Sequence, residues 1–278
     1  MRIQIVDAFT TQPFAGNPAG VCLLPAGEWP DDTRLQQIAA ELNHAETAFA
    51  LPLPAGGEAD WEIRWFTPTV EVGLCGHATL ATAHSLERDG LLSASGSVRF
   101  RSRFHGLLIA HAGEEGEITL DFPAAPAIEV PVPGGLAKAL GLRPEATFRT
   151  GALGHLLTVL PDEAAVRGLR PDLGAIAALT RREELWGVIV TAAAAAPGSG
   201  YDFVSRFFVP ANGIPEDPVT GSAHTALAPY WSARLGRSGV LTGFQASART
   251  GLVSTKLRAD RVLLTGHAVT VLEATLRV

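Results

Sequence analysis

Two stretches of this 278-residue chain share a grammar that narrows the folds open to it. "GLCGHATLATAH" begins at Gly73 and "VTGSAHTALAPYW" at Val219. Each sets a glycine, Gly76 or Gly221, in front of a polar residue and then a run of Ala and Thr at helical spacing. Helices built from Ala78, Ala81, Thr82 and Ala83, or from Ala223, Thr225, Ala226 and Ala228, carry little side chain to pack against open water. Small residues let a helix sit close to surrounding backbone, so each fits inside a strongly curved sheet or barrel. Two such segments in strand-rich surroundings point to an internal duplication. In the second, Pro229 removes a backbone donor and is expected to interrupt and bend its helix after about two turns.

The remaining pattern agrees with two halves. "RIQIVDAF" and "AGVCLLP" read as strands around a Gly- and Pro-containing loop. "DDTRLQQIAAELN" places Leu35, Ile38, Ala39 and Leu42 on one helical face, with Asp31 and Asp32 as candidate caps. Strand character returns in "ETAFALPL" and "WEIRWFTP", and the Gly76 helix is closed by Gly90. "SVRFRS", "GLLIAHAG" and "EITLDFP" supply three more strands. Proline cannot continue a helix or a central strand, so "PAAPAIEVPVPGG" reads as a linker. The expected division is an N-terminal lobe over 1–122, completed by the last strand at about 268–278, a linker over 123–135, and a C-terminal lobe over 136–267.

The composition excludes several classes. An apolar fraction of 47% with 18% charged residues is that of an ordinary globular chain. A formal charge of −6, with no long Lys/Arg run, argues against nucleic acid as a partner. The longest apolar stretch, around Trp186 to Pro197, is too short to span a bilayer, so no membrane association is expected. The N-terminus reads as a strand rather than a leader, which makes a cytoplasmic protein the expectation. Cys22 and Cys75 cannot build a disulfide framework, and the absence of C-x-x-C and H-E-x-x-H patterns leads to the expectation of no metal site.

The chemistry is expected at the two helix starts. A helix N-terminus presents unpaired backbone N–H groups and roughly half a positive charge, which attract carboxylates and phosphates. Gly76 and Gly221 allow a ligand close to that backbone. If the halves face each other, both N-termini serve one cleft and one small anion. The competing reading makes Thr220 and Ser222 ordinary caps and Gly76 an ordinary turn. His77 can move a proton or orient a ligand. Asp217, fixed as extended by Pro218, aims its carboxylate near the second helix start. Glu46 is embedded among Ala45, Ala48, Phe49 and Leu51; if buried it suits a general acid or base, whereas simple strand alternation would turn it outward. Cys75, beside the Gly-His pair, is a secondary candidate whose thiolate the helix start would favour, as is Thr220. Cys22 belongs to an apolar strand.

"DAFTTQPFAGNPAGV", "NHAETAF", "FTPTVEVGLCGHATLATAH", "FFVPANGIPEDPVTGSAHTALAPYW" and "GHAVTV" together resemble the PhzF-like family of phenazine biosynthesis, from the first strand to the last. The resemblance implies a diaminopimelate epimerase-like α+β fold of two pseudo-symmetric lobes, each a strongly curved sheet or open barrel around a central helix, with the active site between them. It further implies a cofactor-independent isomerase and a homodimer. By the same resemblance, Glu46 would take the acid/base role, while Gly76, His77, Asp217, Gly221 and Ser222 would hold a small carboxylate-bearing substrate. Cys75 stands where one catalytic cysteine stands in diaminopimelate epimerase, but its partner is missing before Gly221. Two alternatives remain open: a non-catalytic binding or interaction protein of the same fold, and a single-Cys epimerase or racemase.

Overall fold

The computed structural model describes residues 1–196 and 198–277. Pro197, at the end of the apolar stretch, and Val278, at the end of the expected last strand, lie outside the described residues. The chain divides into unit 1, Met1–Asp121 with Thr265–Val278, and unit 2, Phe122–Leu264.

Elements run in the order β1 (Arg2–Ala8), β2 (Asn17–Leu23), α1 (Asp32–Leu42), β3 (Glu46–Pro52), β4 (Trp61–Phe66), β5 (Glu71–Val72) and α2 (Gly76–Arg88). Then come β6 (Ser97–Ser102), β7 (Gly106–Ala112), β8 (Ile118–Pro123), β9 (Ala127–Val130), α3 (Leu136–Leu140), β10 (Ala146–Thr150) and β11 (His155–Val159). They are followed by α4 (Glu163–Gly168), α5 (Leu173–Arg182), β12 (Gly187–Ala193), β13 (Phe203–Val209), β14 (Ile214–Asp217) and α6 (Gly221–Leu235). The chain ends with β15 (Leu241–Gln245), β16 (Gly251–Arg258), β17 (Arg261–Gly266) and β18 (Ala268–Thr275).

In unit 1, β18 and β2 flank β1 in antiparallel pairs, and β2 runs parallel to β3. The sheet continues antiparallel to β4, parallel to β6, then antiparallel through β7 and β8. Parallel neighbours need a crossover, and α1 and α2 supply the two. Helix α2 packs against β18 and β1 near one end of this order, against β2 and β3, and against β7 near the other, so the sheet curls around it. Every residue from His77 to Leu86 is buried. Its hydroxyls meet that burial by bonding back along the helix: Thr79 Oγ1 to the Cys75 carbonyl at 2.6 Å, Thr82 Oγ1 to Ala78 at 2.7 Å, and Ser85 Oγ to Ala81 at 3.0 Å. Helix α1 covers the outer face, where Leu35, Ile38 and Ala39 join Ile3, Cys22, Phe49 and Phe66. Asp31 occupies its N-cap without a side-chain cap bond, and Asp32 pairs with Arg64 at 2.8 Å instead.

Unit 2 repeats the order of pairings. β9 and β11 flank β10, β11 runs parallel to β12, β12 is antiparallel to β13, and β13 is parallel to β15, which is antiparallel to β16. The strand β9, formed inside the Pro-rich stretch, thus holds in unit 2 the place of β18 in unit 1. One face of the sheet is covered by α3, α4 and α5 through Leu136, Val166, Ile176 and Leu179. On the other, α6 packs Ala223, Ala226, Leu227 and Trp231 against Leu157, Ile189, Phe203 and Phe207.

Pro229 does not interrupt α6, which continues to Leu235. A proline at this position removes the N–H that would reach the Thr225 carbonyl. That carbonyl accepts instead from Ala125 N at 3.1 Å, so a loop amide replaces the missing helical donor.

No helix among the described residues is long and apolar enough to cross a membrane.

Candidate functional site

In unit 1, Glu46 opens β3, in register with Ala19 of the parallel β2. Cys75 is the N-cap of α2, and its side chain makes no cap bond to the first turn. His77 is the second residue of the helix. These three side chains meet: Glu46 Oε2 lies 3.4 Å from His77 Nε2, and Cys75 Sγ lies 3.4 Å from His77 Nδ1. The Glu46 side chain is only 15% exposed and that of His77 only 7%, so strand alternation does not turn Glu46 outward.

Burial, with the nearby positive charge of His44 as a lesser cause, pushes the His77 pKa down to about 3. The imidazole is therefore neutral at physiological pH. Its contact with Glu46 is that of a neutral ring N–H with a carboxylate, not an ion pair. With the proton on Nε2 toward Glu46, Nδ1 accepts from the Cys75 thiol. Cys22, buried in β2, has its thiol pushed up to about 12 by desolvation and is an inert core residue.

In unit 2, Gly221 begins α6 after the N-cap Thr220. Thr220 does not cap the helix, because its hydroxyl is committed elsewhere. It donates to Asp217 Oδ2 and accepts from Gln245 Nε2 at 3.1 Å. Gln245 is fully buried and binds this turn at further points: its Oε1 accepts from Thr220 N at 2.9 Å and its Nε2 donates to the Asp217 carbonyl at 2.8 Å. Ser247 Oγ donates to the Pro218 carbonyl at 2.7 Å. The ordinary-cap reading of Thr220 fails, and Asp217 is held beside the helix start.

Ser222, the second residue of α6, lies 3.3 Å from His155 Nε2. His155 is buried, edge-on to Phe207, and its Nδ1 meets no hydrogen-bond partner among the described residues. Orphaned buried donors are rarer than under-satisfied acceptors. The economical tautomer therefore keeps Nδ1 bare and donates Nε2–H to the Ser222 oxygen. The Ser222 hydroxyl hydrogen is then not used by His155. Burial keeps His155 neutral, with its pKa near 4.

Each unit thus places a titratable side chain from the first residue of a strand against the second residue of its buried helix. The strands differ. Unit 1 has Ala19 on β2 and Glu46 on β3; unit 2 has His155 on β11 and Gly187 on β12. Gly187 has no room for more: a Cβ there would meet Phe207 Cζ at 2.7 Å and crowd Val209 Cγ1 still closer. His155 and Gln245 are the two residues that sequence reasoning does not find, although His155 repeats the Glu46 signal of a polar residue opening an apolar strand.

The sequence matches the family model described as phenazine biosynthesis-like protein over residues 6–274. A Pseudomonas aeruginosa protein named an uncharacterized isomerase is 47% identical, with 98% of this chain and 97% of that protein covered. The crystal structure of a phenazine biosynthesis protein of the PhzF family from Enterococcus faecalis is 37% identical and superposes with a TM-score of 0.87 over 99% of each chain. A Pseudomonas aeruginosa structure described as a predicted epimerase, 21% identical, shares the fold with a TM-score of 0.75 over 99% of this chain and 98% of that one. The chain belongs to the phenazine biosynthesis-like family and has the PhzF and epimerase-like α+β fold.

Proposed function

We propose that this member of the phenazine biosynthesis-like family is an isomerase that moves a proton on a small carboxylate-bearing substrate, with Glu46 as the acid/base. The observation that carries the reading is the Glu46 carboxylate, mostly buried and 3.4 Å from a neutral His77, at the start of the buried helix α2. Glu46 takes a proton from a carbon next to the substrate's activating group, so that a C–H bond breaks and an O–H bond forms on the carboxyl. The electron pair spreads onto substrate oxygen, where the N–H groups at Gly76 and His77 and the helix dipole offset the negative charge. Glu46 then returns the proton to a different carbon, and no net oxidation occurs. In unit 2 the start of α6 offers a second anion-holding arrangement of its own, with Gly221 N–H and the Ser222 hydroxyl at the helix start and Asp217 beside it. An isomerase name on a relative 47% identical over nearly its full length supports the reaction class.

The test begins with small carboxylates screened for protection against thermal unfolding, since a ligand that binds only the folded state stabilises it by mass action. Hits are incubated in heavy water. Deuterium uptake at carbon, abolished in Glu46→Gln, is the expected result. Binding without uptake points to a non-catalytic binding protein and overturns the isomerase reading; uptake at the wild-type rate in Glu46→Gln overturns the assignment of the base.

A second reading is a single-Cys epimerase in which Cys75 and Glu46 serve as opposite acid and base. The Cys75 Sγ to His77 Nδ1 contact of 3.4 Å favours it, because the neutral ring orients the thiol in the same cluster as the Glu46 carboxyl. Unchanged turnover in Cys75→Ser would remove it. The homodimer that the family resemblance implies and the cytoplasmic location expected from the sequence are parts of this proposal, and sedimentation of the purified chain tests the first.

A further inference from the structure

The geometry points to a binding site for a thiophilic divalent cation of the zinc class, formed by Glu46, Cys75 and His77. We infer that its occupation switches the acid/base group off. Each residue offers one ligand atom, and the three lie within 4.8 Å of one another. His77 Nε2 is 3.4 Å from Glu46 Oε2 and 4.0 Å from Cys75 Sγ, which makes Nε2 the imidazole ligand. Zinc bonds of about 2.0–2.3 Å to N, O and S give tetrahedral edges of roughly 3.3 to 3.6 Å. The Nε2 to Oε2 edge already has that length, and the edges to sulfur require Cys75 to rotate from its 3.4 Å contact with Nδ1 toward Nε2.

The donor set is the second argument. One thiolate, one imidazole and one carboxylate form a borderline-soft set suited to Zn²⁺ and its substitute Co²⁺, and unsuited to Mg²⁺ or Ca²⁺, which take oxygen ligands. The thiolate and carboxylate together balance a 2+ charge, so the bound site is neutral in a buried place. Three protein ligands leave one tetrahedral corner for water. The scaffold is fixed, since Cys75 and His77 belong to the first turn of a buried helix and Glu46 to a central strand paired on both sides. The C-x-H spacing alone does not reveal the site, because Glu46 joins it only through the fold.

Binding of the cation does not depend on the proposed reaction. The consequence for activity rests on Glu46 being the base: with its oxygen on the metal, the carboxylate no longer accepts a proton from carbon.

The test uses the whole reduced chain, freed of metal by chelator, with Co²⁺ as the optical probe and Zn²⁺ followed by calorimetry. The expected result is one Co²⁺ per chain, with an intense sulfur-to-metal charge-transfer band in the near ultraviolet, displaced by Zn²⁺. Cys75→Ser loses that band, and its zinc affinity falls by more than the roughly 10- to 100-fold that loss of an outer-shell partner costs. Glu46→Gln keeps the band and binds more weakly. Cys22→Ala retains both the band and the affinity, and thermal melting verifies that each variant is folded. Absence of Zn²⁺ binding at metal equimolar with micromolar protein overturns the site, as does a cobalt spectrum without the sulfur band or an affinity unchanged in Cys75→Ser. Where a substrate is known, zinc that binds at Cys75 without slowing deuterium uptake overturns the switch and leaves the site standing.

Discussion

Glu46 Oε2 and His77 Nε2, 3.4 Å apart, join the first residue of a strand to the second residue of a buried helix. Because burial holds His77 neutral, the ring meets Glu46 without a positive charge, and the proposed role of Glu46 as proton acceptor is open to a direct test. Glu46→Gln keeps the shape and removes the basic oxygen. Proton exchange into a substrate should fall by about 10² to 10⁴, the usual contribution of a general base, with ligand affinity changed far less. Single-turnover exchange in heavy water measures the first, and calorimetry the second.

The Ser222 hydroxyl should depend on His155. His155→Phe keeps the aromatic packing on Phe207 but deletes the donor 3.3 Å from Ser222 Oγ. A net hydrogen bond is worth about 0.5 to 1.5 kcal/mol, so kcat/KM should drop by roughly 2- to 10-fold. The loss should appear mainly in KM, and His155→Gln, whose amide can donate, should recover part of it. Nitrogen chemical shifts of the wild-type ring should show Nε2 protonated and Nδ1 bare.

Gln245→Leu tests the turn that carries Asp217. The substitution strips partners from Thr220 N, Thr220 Oγ1 and the Asp217 carbonyl in a buried place. Each buried polar group left unsatisfied costs about 1 to 3 kcal/mol, so a loss of several kcal/mol in urea unfolding is expected. Thr242→Val, on the same strand but half-exposed, should cost much less.

Stability should fall on mild acidification. His155 and His224 are both buried, and desolvation lowers each from 6.5 to about 4. Above pH 6.5 both are neutral in the folded and unfolded chain and make no difference. As the pH falls from about 6.5 to about 4 the unfolded histidines take up protons that the folded ones refuse, so the unfolded state gains. At about 1.4 kcal/mol per pH unit the pair together costs several kcal/mol by pH 4. Urea midpoints at neutral pH and near pH 4 measure the slope, and His224→Gln should make it shallower.

Much of this architecture is legible in the sequence, and the exceptions have physical causes. The helices at Gly76 and Gly221 are readable because Ala and Thr at helical spacing leave few alternatives to burial inside a sheet. Glu46 stands out because a charge among apolar strand residues needs an explanation. Its contact with Cys75 and His77 is not readable, since strand and helix positions meet only after the sheet has curled. Pro229 misleads because the amide of Ala125, which replaces its missing donor, lies far off in sequence. The strand Ala127–Val130 is hidden by its prolines, which flank it rather than occupy it. Gln245 is hidden because a buried glutamine looks like any polar strand residue until its partners are known.

Gly187 holds in unit 2 the position that Glu46 holds in unit 1, and the rings and methyls of Phe207 and Val209 occupy the space its side chain would need. A substitution that planted a carboxylate there would have to displace two core residues at once. The two copies of the repeat have therefore lost their interchangeability. A carboxylate at the start of this third sheet position is open to one copy of the repeat and closed to the other by packing alone.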